Sequence, residues 1–73
     1  MNWRKRCTDA AMAAARTKER ARSSEWRAAA GRAQALLNAA AMSTDRHGAL
    51  KMLEGTNNAL LRKVVDDLQY MED

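Results

Sequence analysis

Apolar side chains recur along this chain in two different patterns. In the second half they return every three or four residues, which is the spacing of a helix that buries one face. In the first half the apolar stripe is weak, largely alanine, and convincing only between Trp26 and Ala40. The patterns predict an all-α fold, a helical hairpin in which one long helix from about Asn2 to Ala41 packs against a helical region over residues 44–72.

The second region supplies most of the predicted core. Five large apolar residues precede position 36, whereas thirteen lie from Leu36 onward, including seven leucines. Burial of the richer stripe therefore provides most of the hydrophobic stabilisation. The first helix contributes only a few residues to the same core. The residues predicted to form the core or an interface are Leu37, Leu50, Leu53, Leu60, Leu61, Val64 and Leu68.

Capping residues mark the predicted connection between the two regions, near residues 42–46. Serine, threonine and aspartate side chains accept a hydrogen bond from the free N–H groups that begin a helix, so each favours a helix start. The segment 22–25, Arg-Ser-Ser-Glu, is a second weak point, where Ser24 is a candidate cap for a new helix. The candidate caps at the connection are Ser43, Thr44 and Asp45.

The segment from Glu54 to Asn58 has a turn-like composition. In one interpretation Gly55 ends a short helix and Thr56 or Asn57 caps the next one. In the other interpretation the second helix continues, and Asn57 is a polar core residue that fixes the register or the oligomeric state. The composition favours the break.

Length and composition make the predicted core thin. The chain has 73 residues, sixteen of them alanine, and it contains neither Phe nor Ile. A chain of this size buries only about 60 % of its unfolded surface, so its stability is marginal without help. We therefore expect one small domain over residues 1–73, with a basic helix over 1–41, that is completed by self-association or by a partner.

Charge is distributed unevenly between the two halves of the chain. Residues 1–35 carry nine Arg or Lys and three acids, whereas residues 36–73 carry four Arg or Lys and six acids. The formal charges are thus +6 and −2, which together give the +4 of the whole chain. This separation indicates an acidic partner for the first half, or head-to-tail pairing between copies of the chain.

A basic face is predicted on the first helix. If that helix is continuous, Lys5, Arg16, Arg20 and Arg27 lie within about 60° of one another around its axis. Long cationic side chains at this spacing can follow a phosphate backbone, and the neighbouring Trp26 can stack on a base. In the alternative interpretation these cations are a solvated face and Trp26 packs in the hairpin core. These five residues are the candidates for binding a partner or nucleic acid.

The chain offers little catalytic or metal-binding chemistry. Its one cysteine, Cys7, and its one histidine, His47, are forty residues apart. A zinc site needs about four ligands, which is more than these two residue types supply. The sequence has no Gly-rich phosphate-binding loop. We therefore expect no enzyme and no cofactor, and we assign no catalytic, cofactor-binding or metal-binding residue.

Neither a membrane span nor a membrane-surface helix is indicated. No apolar run approaches the roughly 18 residues that a membrane span requires. Trp3 stands beside three basic residues, as an interfacial anchor would, but its helical face lacks further bulky apolar side chains. We expect the protein to be cytoplasmic or to lie within a larger particle.

Three functions follow from these observations. The first is a non-enzymatic adaptor or regulator that binds a macromolecule with an acidic surface, either another protein or a second copy of the chain. The second is a protein that binds DNA or RNA through its basic first helix. The third is a minor structural component of a large assembly such as a phage particle, because small Ala/Arg-rich helical chains with little cysteine occur in phage and mobile-element genomes.

Overall fold

The computed structural model describes residues 2–56 and 58–71, and every regular element within them is helical. The all-α prediction is therefore confirmed. Two long helices form a hairpin, and two short helices with an intervening 3₁₀ turn pack against it as a second layer. In chain order the elements are α1 (Trp3–Arg20), α2 (Ser24–Ala41), α3 (Arg46–Glu54), the 3₁₀ turn (Ala59–Leu61) and α4 (Arg62–Tyr70).

A helical hairpin is present, but its two arms are α1 and α2, whereas the sequence predicted arms over residues 2–41 and 44–72. The prediction of one continuous helix over residues 2–41 is wrong, because the chain turns back on itself between α1 and α2. The backbone is extended at Ala21 (φ −64°, ψ 131°) and at Ser23 (φ −99°, ψ 147°). The predicted connection at residues 42–46 instead joins α2 to α3.

A serine cap starts the second arm of the hairpin. The hydroxyl of Ser23 accepts the N–H of Trp26 at 3.1 Å, so the cap is Ser23 and not its neighbour Ser24. An N-cap side chain satisfies one of the N–H groups that the first helical turn leaves without a partner, which stabilises the helix start by about 1 kcal/mol. Asp45 is the N-cap of α3, and its side chain accepts the N–H of Gly48 at 2.7 Å.

Small side chains allow α1 and α2 to pack closely. The buried positions of the two helices are alanine apart from Cys7 and Leu37. An alanine buries little apolar surface, but it loses no side-chain entropy on burial and favours the helix. Turning the Ala-rich first half back on itself thus buries surface that a straight helix would leave in water. The buried alanines are Ala10, Ala11, Ala14, Ala30, Ala33 and Ala40.

The second layer places the leucine-rich residues against the hairpin. α3 packs mainly against α2, and α4 contacts both α1 and α3. Their large side chains join the alanines of the hairpin in one buried cluster. Five predicted core residues are at most 3 % exposed, as expected: Leu37, Leu53, Leu61, Val64 and Leu68.

Leu50 and Leu60, which the sequence assigns to the core or an interface, are only partly buried and pack at the edge of the core. In α3 the buried residues are Ala49 and Leu53, and Leu50 projects about 100° away from Ala49 around the helix. In the 3₁₀ turn the inward position belongs to Leu61, which leaves Leu60 partly buried. The break before the 3₁₀ turn changes the direction in which the following residues face. A single apolar stripe extended from α3 across this turn therefore predicts the wrong burial for residues at the edge of the stripe.

The break near Gly55 is confirmed. Gly55 is the C-cap of α3 with φ −68°, so this turn needs no left-handed residue, and no residue in the described ranges has a positive φ. The 3₁₀ turn is capped by Asn58, whose side-chain oxygen accepts the N–H of Leu60 at 2.9 Å. The sequence had offered Thr56 or Asn57 for this role, and Asn57 lies outside the described residues.

Gly31 lies inside α2, where glycine costs about 1 kcal/mol relative to alanine. A Cβ added at Gly31 would lie 3.8 Å from the nearest side-chain atoms of Lys18, which is an ordinary contact distance. We expect Gly31→Ala to raise the free energy of unfolding by about 1 kcal/mol in urea denaturation. Gly48→Ala is the control, and it should raise the free energy of unfolding by less, because the added Cβ would lie 2.7 Å from Ser43 Oγ. An unchanged stability for Gly31→Ala would contradict this account.

Candidate functional site

The turn end of the hairpin concentrates exposed positive charge. We call residues 16–27 the hairpin tip, which comprises the end of α1, the connection and the first turn of α2. Its five cations and two acids give it a formal charge of +3. All seven charged side chains are exposed: Arg16, Lys18, Glu19, Arg20, Arg22, Glu25 and Arg27.

The second layer meets the hairpin beside the tip. The side-chain amide of Asn58 donates a hydrogen bond to the carbonyl of Ala29 at 3.0 Å. Leu60 and Lys63 line one surface cavity together with Thr17. Past these contacts, every side chain from residue 22 to residue 28 is exposed. The hairpin tip is therefore accessible to a large partner.

The fold accounts for only part of the charge at the hairpin tip. None of its five cations forms an ion pair with a residue that the structure describes. Lys18 and Arg20 stand in the last turn of α1 and Glu25 in the first turn of α2, where each is favourable to the dipole of its helix. Arg27 Nη2 donates to the carbonyl of Ala21 at 3.0 Å. These local roles leave a surplus of positive charge that folding does not require.

Arg4, by contrast, has a structural role at the opposite end of the hairpin. Its guanidinium donates to the carbonyls of Ala41, Ser43 and Thr44 at 3.2, 2.8 and 3.4 Å. It also lies 4.5 Å from the ring centroid of Trp3, as in a cation–π contact. Arg4 thus holds the start of α1 against the end of α2. No sequence pattern indicates this role, because the partners are 37 to 40 residues away.

Two further arginines join the second layer to the rest of the fold. Arg6 Nε lies 2.7 Å from Asp67 Oδ2, which connects α1 to α4. The guanidinium of Arg46 donates to the carbonyl of Leu68, which connects the start of α3 to the end of α4. The partners of these arginines lie 61 and 22 residues away along the chain, so neither role has a signal in the sequence.

The turn between α1 and α2 divides the predicted basic stripe, because Lys5, Arg16 and Arg20 lie on α1 whereas Arg27 lies on α2. Lys5 precedes Arg16 by 11 residues, which is about 16 Å along α1. Lys5 also forms an ion pair with Asp9 at 3.7 Å. Arg27 belongs to α2, but its guanidinium reaches the end of α1. The structure therefore gathers Arg16, Arg20 and Arg27 in the hairpin tip and leaves Lys5 outside it.

Trp26 lies in the hairpin tip and not in the core. Its side chain is 42 % exposed, so the prediction that it packs in the hairpin core is wrong. The burial of α2 begins one turn later, at Ala30, where the second layer reaches the helix. The alternative prediction, that Trp26 contacts a partner, is consistent with its exposure in the first turn of α2 and stays a prediction.

The remaining reactive side chains lie apart from the hairpin tip. Cys7 is fully buried, and burial raises the pKa of its thiol above the ordinary value, opposed in part by the charge of Arg6. A protonated buried thiol is a poor nucleophile. His47 is exposed on α3. Among the described residues, no three His, Cys, Asp or Glu side chains are grouped as metal ligands would be, and no helix has the length and apolarity to cross a bilayer.

Comparison of the chain with protein-family models, with curated proteins and with solved structures finds no match. The interpretation of function therefore depends on the hairpin tip and on the chemistry of its side chains.

Proposed function

We propose that this chain is a non-enzymatic interaction protein that binds a macromolecular partner with an acidic surface, and that the hairpin tip is its binding surface. The observation that carries the proposal is the surplus of exposed cations at the tip, five against two acids, none of them ion-paired to a described residue. Four of these cations are arginine. Arginine is enriched in binding surfaces because its guanidinium makes directional, paired hydrogen bonds to anionic groups.

Electrostatics favour a partner over a purely solvated role for this surface. Like charges on neighbouring helix ends repel one another, and a partner of opposite charge relieves that repulsion on binding. The field of such a patch also steers an anionic partner toward it and raises the association rate. Apart from Arg27, the arginines that hydrogen-bond between elements of the fold lie elsewhere, at the start of α1 and of α3.

Removing three charges from the hairpin tip tests the proposal. Arg16, Arg20 and Arg22 are changed together to alanine, which preserves helix propensity. The probe is inorganic polyphosphate, a polyanion that is neither protein nor nucleic acid, titrated by calorimetry at low salt. If each exposed charge contributes about 0.5 kcal/mol, the triple variant should bind roughly tenfold more weakly.

A second triple variant controls for net charge. Lys51, Arg62 and Lys63 are exposed cations on α3 and α4, and changing them to alanine also removes three charges. Both triple variants therefore carry a formal charge of +1 in place of +4. The proposal requires a much smaller loss for this control. Equal losses would mean that net charge acts diffusely and that the hairpin tip is not a binding surface.

A further inference from the structure

Resting on the proposed function, we infer that the partner of the hairpin tip is single-stranded nucleic acid. In this arrangement the arginines of the tip contact successive phosphates, and an unpaired base stacks on Trp26.

The cations of the tip suit phosphate. Arg16, Arg20, Arg22 and Arg27 lie on both helices and on the connection, so they surround the end of the hairpin. Each guanidinium can donate two parallel hydrogen bonds to one phosphate, which an ammonium cannot do. Two acids, Glu19 and Glu25, share the surface, and the net charge remains +3.

The apolar content of the tip suits a base better than a protein interface. Trp26 is the only large apolar side chain among residues 16–27. Protein interfaces surround a buried apolar core with a polar rim, whereas nucleic-acid interfaces are polar and strongly positive. Proteins hold single strands by combining a positively charged surface with aromatic side chains, because every base has a face that can stack. The exposed ring of Trp26 is available for that contact.

The width of the tip favours a single strand over a duplex. Two helices side by side measure about 20 Å, since each helix with its side chains is about 10 Å across. The major groove of B-form DNA is only about 12 Å wide, so the paired helices cannot enter it together. A flexible strand can instead wrap around the end of the hairpin and present both its phosphates and its bases.

Fluorescence titration tests the inference directly. The chain has two tryptophans, and Trp3→Phe leaves Trp26 as the reporter. The probes are a 12-nucleotide oligo(dT), a 12-nucleotide oligo(U), a duplex of the same length and poly-L-glutamate. We expect both single strands to quench Trp26 and to bind more tightly than the duplex and the polypeptide. The difference between the two strands shows whether DNA or RNA is preferred.

Variants of Trp26 separate stacking from charge. Trp26→Ala should weaken binding of the single strands by about 5- to 100-fold, and Trp26→Phe should retain most of the affinity. The triple variant of Arg16, Arg20 and Arg22 should flatten the log–log salt dependence by about two, because each phosphate contact contributes about −0.7 on a single strand. A thermal melt of each variant verifies that the fold is retained.

Three results would overturn the inference while the proposed function stands. They are an unchanged affinity for Trp26→Ala, tighter binding of the duplex, or equally tight binding of poly-L-glutamate, which would identify an acidic protein as the partner. The polyphosphate titration tests the proposed function separately. The proposed function fails if removing the three charges of the tip weakens polyphosphate binding no more than removing the three charges of α3 and α4.

Discussion

Truncating Leu61 to alanine should lower the free energy of unfolding by about 2–5 kcal/mol. Leu61 is 1 % exposed and belongs to the cluster that joins the two layers. Removing its branched end loses the transfer free energy of the buried carbons and leaves a cavity among side chains that cannot fully close it. For a small domain with a thin core, a loss of this size is a large fraction of the total stability. Urea denaturation followed by circular dichroism measures it.

Two leucine-sized residues on the same layer serve as controls. Leu60→Ala should cost less than Leu61→Ala, because Leu60 is only partly buried although it is the adjacent residue. Met52→Ala should cost least, since Met52 is 39 % exposed. If Leu60→Ala proved the more damaging of the leucine variants, the inward position assigned to Leu61 in the 3₁₀ turn would be wrong.

Replacing Asn58 with alanine should lower the free energy of unfolding by about 2 kcal/mol, for two separate reasons. The side-chain oxygen of Asn58 accepts the N–H of Leu60 at 2.9 Å and caps the 3₁₀ turn. Its amide donates to the carbonyl of Ala29 at 3.0 Å and holds the segment after α3 against α2. Asn58 is only 8 % exposed, so water does not readily replace either bond.

An exposed cap isolates the contribution of the second bond. Asn2 is also an asparagine N-cap, whose side-chain oxygen accepts the N–H of Arg4 at 2.9 Å in an exposed setting. Asn2→Ala therefore removes a cap without removing a bond between layers, and it should cost about 1 kcal/mol. The cost of Asn58→Ser should lie between the costs of Asn2→Ala and Asn58→Ala, because serine can cap the turn but is too short to reach Ala29. Equal costs at positions 2 and 58 would show that the bond to α2 contributes nothing.

In the folded chain, basic residues with different roles lie in different places. Three basic residues, Arg4, Arg6 and Arg46, connect elements of the fold. Among the cations at the turn of the hairpin, Arg27 donates to the carbonyl of Ala21 at the end of α1, and the other four have no hydrogen bond or ion pair of this kind to a described residue. Self-association, which the thin core predicts from the sequence, stays a prediction, and sedimentation of the isolated chain at micromolar concentration measures it.

The sequence by itself determined the helical class and much of the core. Ala, Arg, Glu and Leu favour helices locally, so the all-α class follows without tertiary information. The three-to-four spacing placed Leu53, Leu61, Val64 and Leu68 in the interior. The break at Gly55 also follows locally, because its polar neighbours compete with the helix for backbone hydrogen bonds.

Only the tertiary structure decided where the first half of the chain turns back. Residues 22–25 suit either a helix interior or a serine cap, and local preferences separate the two states weakly. The turn at Ser23 is favoured because it lets the alanine faces of α1 and α2 bury one another, which is a contact between residues distant in sequence. That same turn divides the predicted basic stripe, exposes Trp26 and creates the hairpin tip. The position of the candidate site was therefore set by packing. Arg16, Arg20, Arg27 and Trp26 could be named from the sequence, whereas Lys18 and Arg22 join them only in the folded chain.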